Sequence, residues 1–371
     1  MKPRERQRGA LRRARVERVP RDLAGFTFPS RQALEAHPDP RRRAVAGRVY
    51  GHTAWGHAIP SHVNRFLVTP PQRMATEVEP LPGGGTRERG RIDTPAGPLT
   101  FGQQLDPVAN TSWQTEYPVK GRRDIEAIAA VSWERPAGLA PPDLAALPPD
   151  PEGRRIVETR ISSPCVCVAG MMTYELFLEL CADELDLLRE LTEICRRRIL
   201  DVLQVLLSAP GIEYVWMGGS EWVTPPMAAP RIYDALVQEP ERSLIEYVHQ
   251  HSDAVVHVHC HGHVRHALPR TIERGADYTE PVEPPPDGDL TMAEAKALAA
   301  GRITLGGNVE CRVLCNESEA EVERATRAAF EGGTQRFVLR PTEGPSPRLS
   351  APEERNYHRL VDLWEELSPA P

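Results

Sequence analysis

Long apolar runs are what this 371-residue chain most conspicuously lacks. No stretch approaches the 18 consecutive apolar residues that cross a bilayer, and the Arg-rich opening MKPRERQRGALRRARVERVP has no apolar core of a secretory signal. Glu5 and Glu17 interrupt its positive charge, while Ala10, Leu11 and Ala14 suit one face of an ordinary first helix better than a transit peptide. A cytoplasmic protein without membrane contact is expected. A basic excess is missing too. Lys and Arg number 45 against 52 Asp and Glu, a net charge of -7, which argues against a nucleic-acid partner. CxxC pairs are absent: the seven cysteines stand at 165, 167, 181, 195, 260, 311 and 315, an odd set without zinc-ribbon or thioredoxin spacing, read as reduced thiols. No repeat of solenoid length occurs.

What is present is a βα alternation. The length exceeds a usual domain, but α/β barrels occupy such lengths as one unit, so residues 1–371 are expected to form one barrel domain. Within it, 1–150 should hold the N-terminal helix, the first strands and long loops. Segments such as VTPPQRM, PLPGGGTRERG and DTPAGPLTFG break residues 40–120, and the Pro-rich GLAPPDLAALPPDPEG (138–153) reads as a linker or a loop over the barrel surface. From 151 to 371 short apolar runs alternate with helical stretches. The expected strands are RIVETRI running into CVCVAG, then IEYVWMGG, AVVHVHCHG, ADYTEPVE, ITLGGNVE and RFVLRP. One long helix is expected from Tyr174 to Ala209, and another is capped by the NESE run at 316–319 and ended by Gly332 and Gly333. The fold class is α/β, a (β/α)8 TIM-type barrel with an elaborated N-terminal region.

Nearly every expected strand finishes in residues that titrate, ligate or hydrogen-bond: Glu221, then His259 and His261, Glu280 and Glu283, Asn308 and Glu310, and Glu343. In a (β/α) barrel such ends converge on one mouth. The run AVVHVHCHGHV places His257, His259, His261 and His263 at odd positions, on one face of a period-two strand. Val258, Cys260 and Val264 face the helices, Cys260 as a small packed hydrophobe. Neutral imidazoles on one strand end suit a metal, the alternative being a hydrogen-bonded structural network. His259 and His261 sit at the opening; His257 lies deeper as a supporting hydrogen-bonding group, and His263 and His266 are expected in solvent. Glu221, Glu283 and Glu310 are candidates for moving protons, and Glu280, Asn308 and Arg340 for binding substrate. Helix caps, solvated loops and surface ion pairs are the plainer readings of the same residues.

The opening PRERQRGALRRARVERVP, together with PPMAAPRIYDAL, HCHGHV, ERGADYTEPVEPPPDGD, GRITLGGNVE, the helix from 317 to 332 and RPTEGPSP followed by RNYHRLV, resembles the uroporphyrinogen decarboxylase superfamily. That superfamily includes zinc methyltransferases that pass a methyl group from a corrinoid protein to a thiol such as coenzyme M. The resemblance covers the N-terminus and most of the chain after 155; 40–150 matches loosely. The family's HxCG strand end corresponds to His259, Cys260, His261 and Gly262, and its later PGCG loop to Pro341, Thr342, Glu343 and Gly344. The resemblance thus implies a divalent metal, zinc in the first instance, held by His259, His261 and Glu343, with His261 and Glu343 in place of the two cysteines. Two neutral imidazoles and one carboxylate leave such a site formally positive and less soft, hence a stronger Lewis acid. The implied function is metal-dependent methyl transfer from a methyl-corrinoid, carried by a partner protein, to a small-molecule acceptor; a homodimer is common in the family. The alternative is decarboxylation of uroporphyrinogen or a related acid in porphyrin biosynthesis. Against it, FTFPSRQALEAHPDPRRR keeps Arg31 and Gln32 without the spacing or second arginine of the decarboxylase motif, and a polycarboxylate substrate needs paired guanidinium groups. A third possibility is a protein that binds a tetrapyrrole or metal without turnover.

Overall fold

The computed structural model describes residues 1–106 and 111–368. Strand β1 (Trp55–Ile59) is followed by β2 (Met74–Pro80), β3 (Thr86–Thr94), β4 (Gly97–Asp106) and β5 (Thr111–Glu116), which pair antiparallel in sequence order as a sheet of their own. Then come β6 (Arg155–Ser162), β7 (Tyr214–Gly218), β8 (Val255–His259), β9 (Tyr278–Glu280), β10 (Thr304–Val309) and β11 (Phe337–Pro341). These six join β1 in one parallel sheet of order β1-β6-β7-β8-β9-β10-β11. The expected closed ring of eight strands is therefore a curled sheet of seven. Pro20–Asp22 takes the eighth position and meets β11 through a single parallel bridge, Arg21 to Leu339. Leu339 N donates to Pro20 O and Asp22 N to Leu339 O, both at 2.9 Å. Pro20 has no N–H to extend that ladder, and among the described residues no pairing joins the segment to β1.

Period-two alternation decides what the curled sheet encloses. Tyr214, Val255, Tyr278 and Val338, at or near the N-terminal ends of their strands, pack with Leu11 into a floor. Leu11 ends helix Pro3–Leu11, and Thr304 Oγ1 donates to Ala10 O at 2.7 Å, fixing that helix under β10. Above the floor the same face of the strands carries Trp216, His257 and Glu280, and then His259. Gly306 is needed there: a Cβ would fall 2.0 Å from the Tyr278 hydroxyl, so only glycine lets β10 lie against β9 and its two inward side chains. The opposite faces of the strands pack on the helices. Helix Leu185–Leu206 buries Leu188, Leu191, Cys195, Ile199, Val202 and Leu206 at three- and four-residue spacing, the stripe of an amphipathic helix. No helix is long and apolar enough to cross a membrane among the described residues.

Several local expectations shift. CVCVAG, read as a strand continuation, is helix Pro164–Ala169, buried at every residue; an apolar run that is buried all round has no periodicity to tell helix from strand. Strand β9 stops at Glu280, because Pro281 has no N–H for a ladder, and beyond it one backbone bond remains, Val282 N to Gly306 O at 3.2 Å. The expected long helix is two, Tyr174–Asp183 and Leu185–Leu206, divided at Glu184. Asn316 ends helix Cys311–Asn316 rather than starting the next, which Ser318 caps by accepting from Glu321 N. The Gly- and Pro-broken stretch between 74 and 116 is a sheet of long hairpins, its LPGGG and Pro95–Ala96 breaks being the turns.

Candidate active site

Strand β8 sets the site by projecting alternate histidines into the barrel. His257, the deepest, has Nδ1 hydrogen-bonded to the Tyr214 hydroxyl, and its Nε2 stands 2.8 Å from Glu280 Oε1 without the alignment of a hydrogen bond. Burial, outweighing the pull of Glu280, drops its pKa to about 4, so the ring is neutral. Glu280 ends β9 and is fully buried. Burial alone would protonate it, but Arg340 Nη1 at 3.1 Å, followed by the two histidines, holds its carboxyl well below the usual range. Arg340, inward from β11, also reaches Asp22 Oδ2 at 3.3 Å. The structure thus makes Glu280 an ionised hub.

The two outer histidines repeat one arrangement. His259 Nδ1 lies 2.8 Å from Glu280 Oε1, and His261 Nδ1 lies 2.8 Å from Glu283 Oε1. Glu283 is fixed in turn, because its Oε2 accepts from Gly262 N at 2.7 Å. Burial would raise the Glu283 pKa, yet the His261 ring and the Gly262 amide lower it. Burial also opposes the charge on His261, but the Glu283 hydrogen bond and nearby carboxylates raise its pKa. The two rings stand edge to face, centroids 4.7 Å apart. Neither Nε2 has a hydrogen-bond partner among the described residues. Cys260, between them in sequence, points to the helices, where burial lifts its thiol to about 12.

The other sequence candidates stand at or after the ends of neighbouring strands. Glu310, following β10, is 7 % exposed with Oε1 unpartnered. Burial first, then the charges of Asp287, Glu283 and Glu343, push its pKa up to about 7 against the opposing Arg312. Glu221 stands on the turn Ser220–Val223 after β7, Oε2 buried and unpartnered, and its charge reaches His261. Asn308 is buried at the end of β10. Glu343 is exposed on the turn after β11, close enough for its charge to act on Glu310. The one group of potential metal-ligating atoms within 4.8 Å of one another, among the described residues, is His257, His259 and Glu280; His261 and Glu343 stand outside it. Arg31 lies away from these residues and pairs with Glu152.

Sequence reasoning missed Tyr214, Trp216, Tyr278 and Asp22. The first three were within reach of the period-two rule, since Tyr214 and Trp216 alternate on β7 and Tyr278 sits two before Glu280. Asp22 was not, because only the Pro20–Asp22 bridge brings it to Arg340. Asp22, Tyr214 and Trp216 border a cavity of about 420 Å³ that includes Trp55 and Glu158 in its wall.

No family model matches the chain, and no curated protein sequence matches it. Among solved structures it is similar to a methyltransferase from Methanosarcina mazei, with a TM-score of 0.59 and 16% identity over 99% of both chains. A B12-independent methionine synthase from Shewanella sp. W3-18-1 in complex with selenomethionine aligns over 75% of this chain and 73% of its own, at 10% identity and a TM-score of 0.41. The first establishes a shared fold, the one that the sequence resemblance implies. The second is too distant to add to it.

Proposed function

We propose that this chain is a metal-dependent methyltransferase of the uroporphyrinogen decarboxylase superfamily, with the metal on the Nε2 atoms of His259 and His261. The observation that carries this reading is the repeated carboxylate–imidazole pair. Glu280 and Glu283 engage the two Nδ1 atoms, which fixes tautomer and ring orientation and leaves both Nε2 atoms free, as the outer partners of metal-bound histidines do. The resemblance assigns the third ligand to Glu343, on the turn beside Glu310. The inner group of His257, His259 and Glu280 fits a cation less well. Glu280 is already paired with Arg340 at 3.1 Å, and its Oε1 is already hydrogen-bonded to His259 Nδ1. Two imidazoles and a carboxylate suit zinc.

When bound, such an ion lowers the pKa of an acceptor and presents it as a nucleophile at neutral pH. The chain's own residues then have separate tasks. Glu310, poised near 7, takes the acceptor's proton. Glu221 and Glu283 supply negative charge around His261. Asn308 and Arg340 line the approach from β10 and β11. In this reading the methyl donor is a methyl-corrinoid carried by a partner protein, the acceptor is a small molecule, and the enzyme works as a homodimer. The test is methyl transfer from methylcobalamin to a thiol. Chelator-treated protein should lose the activity and regain it with Zn²⁺; activity that survives full metal removal contradicts the proposal.

A further inference from the structure

One pair of thiols has no part in the function above. Helix Cys311–Asn316 carries Cys311 and Cys315 one turn apart, with Sγ atoms 3.6 Å from each other. Cys165, Cys167, Cys181, Cys195 and Cys260 are buried, whereas these two reach solvent in part. Both hold the turn that follows β11. Cys311 Sγ donates to Gly344 O at 3.2 Å, and Cys311 N donates to Thr342 Oγ1 at 3.1 Å. Cys315 Sγ donates to Glu353 Oε1 at 3.5 Å, and that same oxygen accepts from Ser346 N at 2.9 Å. The helix and the turn 342–346 are therefore tied together through sulfur.

We propose that Cys311 and Cys315 form an oxidisable dithiol that closes to an intramolecular disulfide by exchange with a small disulfide of the glutathione type, loosening the turn 342–346. In the exchange, one cysteine thiolate attacks a sulfur of the small disulfide and expels a thiolate. The second cysteine thiolate then attacks the protein sulfur of the mixed disulfide and expels the other. Both protons end on the two released small thiols, so one disulfide is reduced for each one formed. Closure also requires movement. Residues four apart on a helix hold their Cβ atoms about 5–6 Å apart, while a disulfide needs about 3.5–4.5 Å. The last turn must give, which is feasible in a helix of six residues, and once the bond forms Cys311 has no proton left to donate to Gly344. The thiol chemistry is independent of the metal reading; only its consequence for Glu343 touches it.

The experiment treats the full-length protein with oxidised glutathione, quenches in acid, alkylates the remaining thiols and digests with trypsin. Two of the seven thiols should disappear, with peptide 303–312 disulfide-linked to peptide 313–324. Cys311→Ser and Cys315→Ser should each instead carry one glutathione and show no link. Amide exchange across 342–346 should rise in the oxidised wild-type protein and return on reduction. The proposal is overturned if both thiols stay alkylatable, if glutathione remains on both without a link, or if the lost thiols are buried ones. A disulfide that leaves exchange at 342–346 unchanged overturns the coupling to the turn.

Discussion

Replacing Glu310 with Gln should remove a pH-dependent destabilisation of the metal-free protein. The Glu310 carboxyl has a folded-state pKa of about 7 against an ordinary value of 4.5, raised by burial and by neighbouring carboxylates. Between those two values the folded protein holds a proton that the unfolded chain releases. Stability must therefore fall as pH rises through this window and stay low above pH 7. At about 1.4 kcal/mol per pH unit the full difference is worth at most about 3.4 kcal/mol. Screening by solvent and polar groups at the open ends of the strands reduces this, so about 1–2 kcal/mol is the working figure. Gln keeps the shape and cannot ionise. Urea unfolding of both proteins, with chelator present, should give equal stabilities near pH 4.5 and a variant more stable by about 1–2 kcal/mol at pH 8. If E310Q is instead the less stable protein at pH 8, the ionised carboxylate has a partner in the fold and the reasoning is refuted.

In methyl transfer, the same variant should lose the acidic limb that the wild-type rate shows near pH 7; an unchanged profile would take proton transfer away from Glu310. Glu283→Gln should weaken metal binding by roughly 10- to 100-fold, since it disturbs the orientation of His261 while leaving the ligand itself in place; a competition titration with a chromophoric chelator reads this directly, and an unaltered affinity counts against the site. Glu280→Ala should cost about 3–5 kcal/mol in urea unfolding, because it leaves Arg340 buried with Asp22 alone; a loss below about 1 kcal/mol would mean that the hub is not ionised. Ile199→Ala, in the buried stripe of helix Leu185–Leu206, should cost about 2–5 kcal/mol, and a neutral result would misplace that helix.

How far the sequence carries the account depends on the range of the interaction that decides each feature. The strands at β8, β10 and β11 are local patterns of β-branched and apolar residues, and the histidines of β8 face the barrel because period two demands it. Cys260 turns away from the site for the same reason. Residues gathered by register are harder to read. Glu280 becomes a hub only because β9 lies beside β8, and because Arg340 and Asp22 arrive from β11 and from the segment before Leu23. Nothing in YTE or LRP announces that meeting. The eight-stranded ring fell to seven strands and a bridge because one proline and a three-residue contact decide closure. Glu343 was assigned from a motif position, and a motif does not say how an exposed turn is held.

The measurement that tests the account most directly is the metal content of purified protein, by elemental analysis after loading with Zn²⁺, in the wild type, His261→Ala and His257→Ala. Binding through the outer Nε2 atoms predicts about one ion per chain in the wild type, loss in His261→Ala and retention in His257→Ala. The reverse pattern, with the ion kept by His261→Ala and lost by His257→Ala, would hand the site to the inner group around Glu280, and a wild type that takes up no ion would contradict the account altogether.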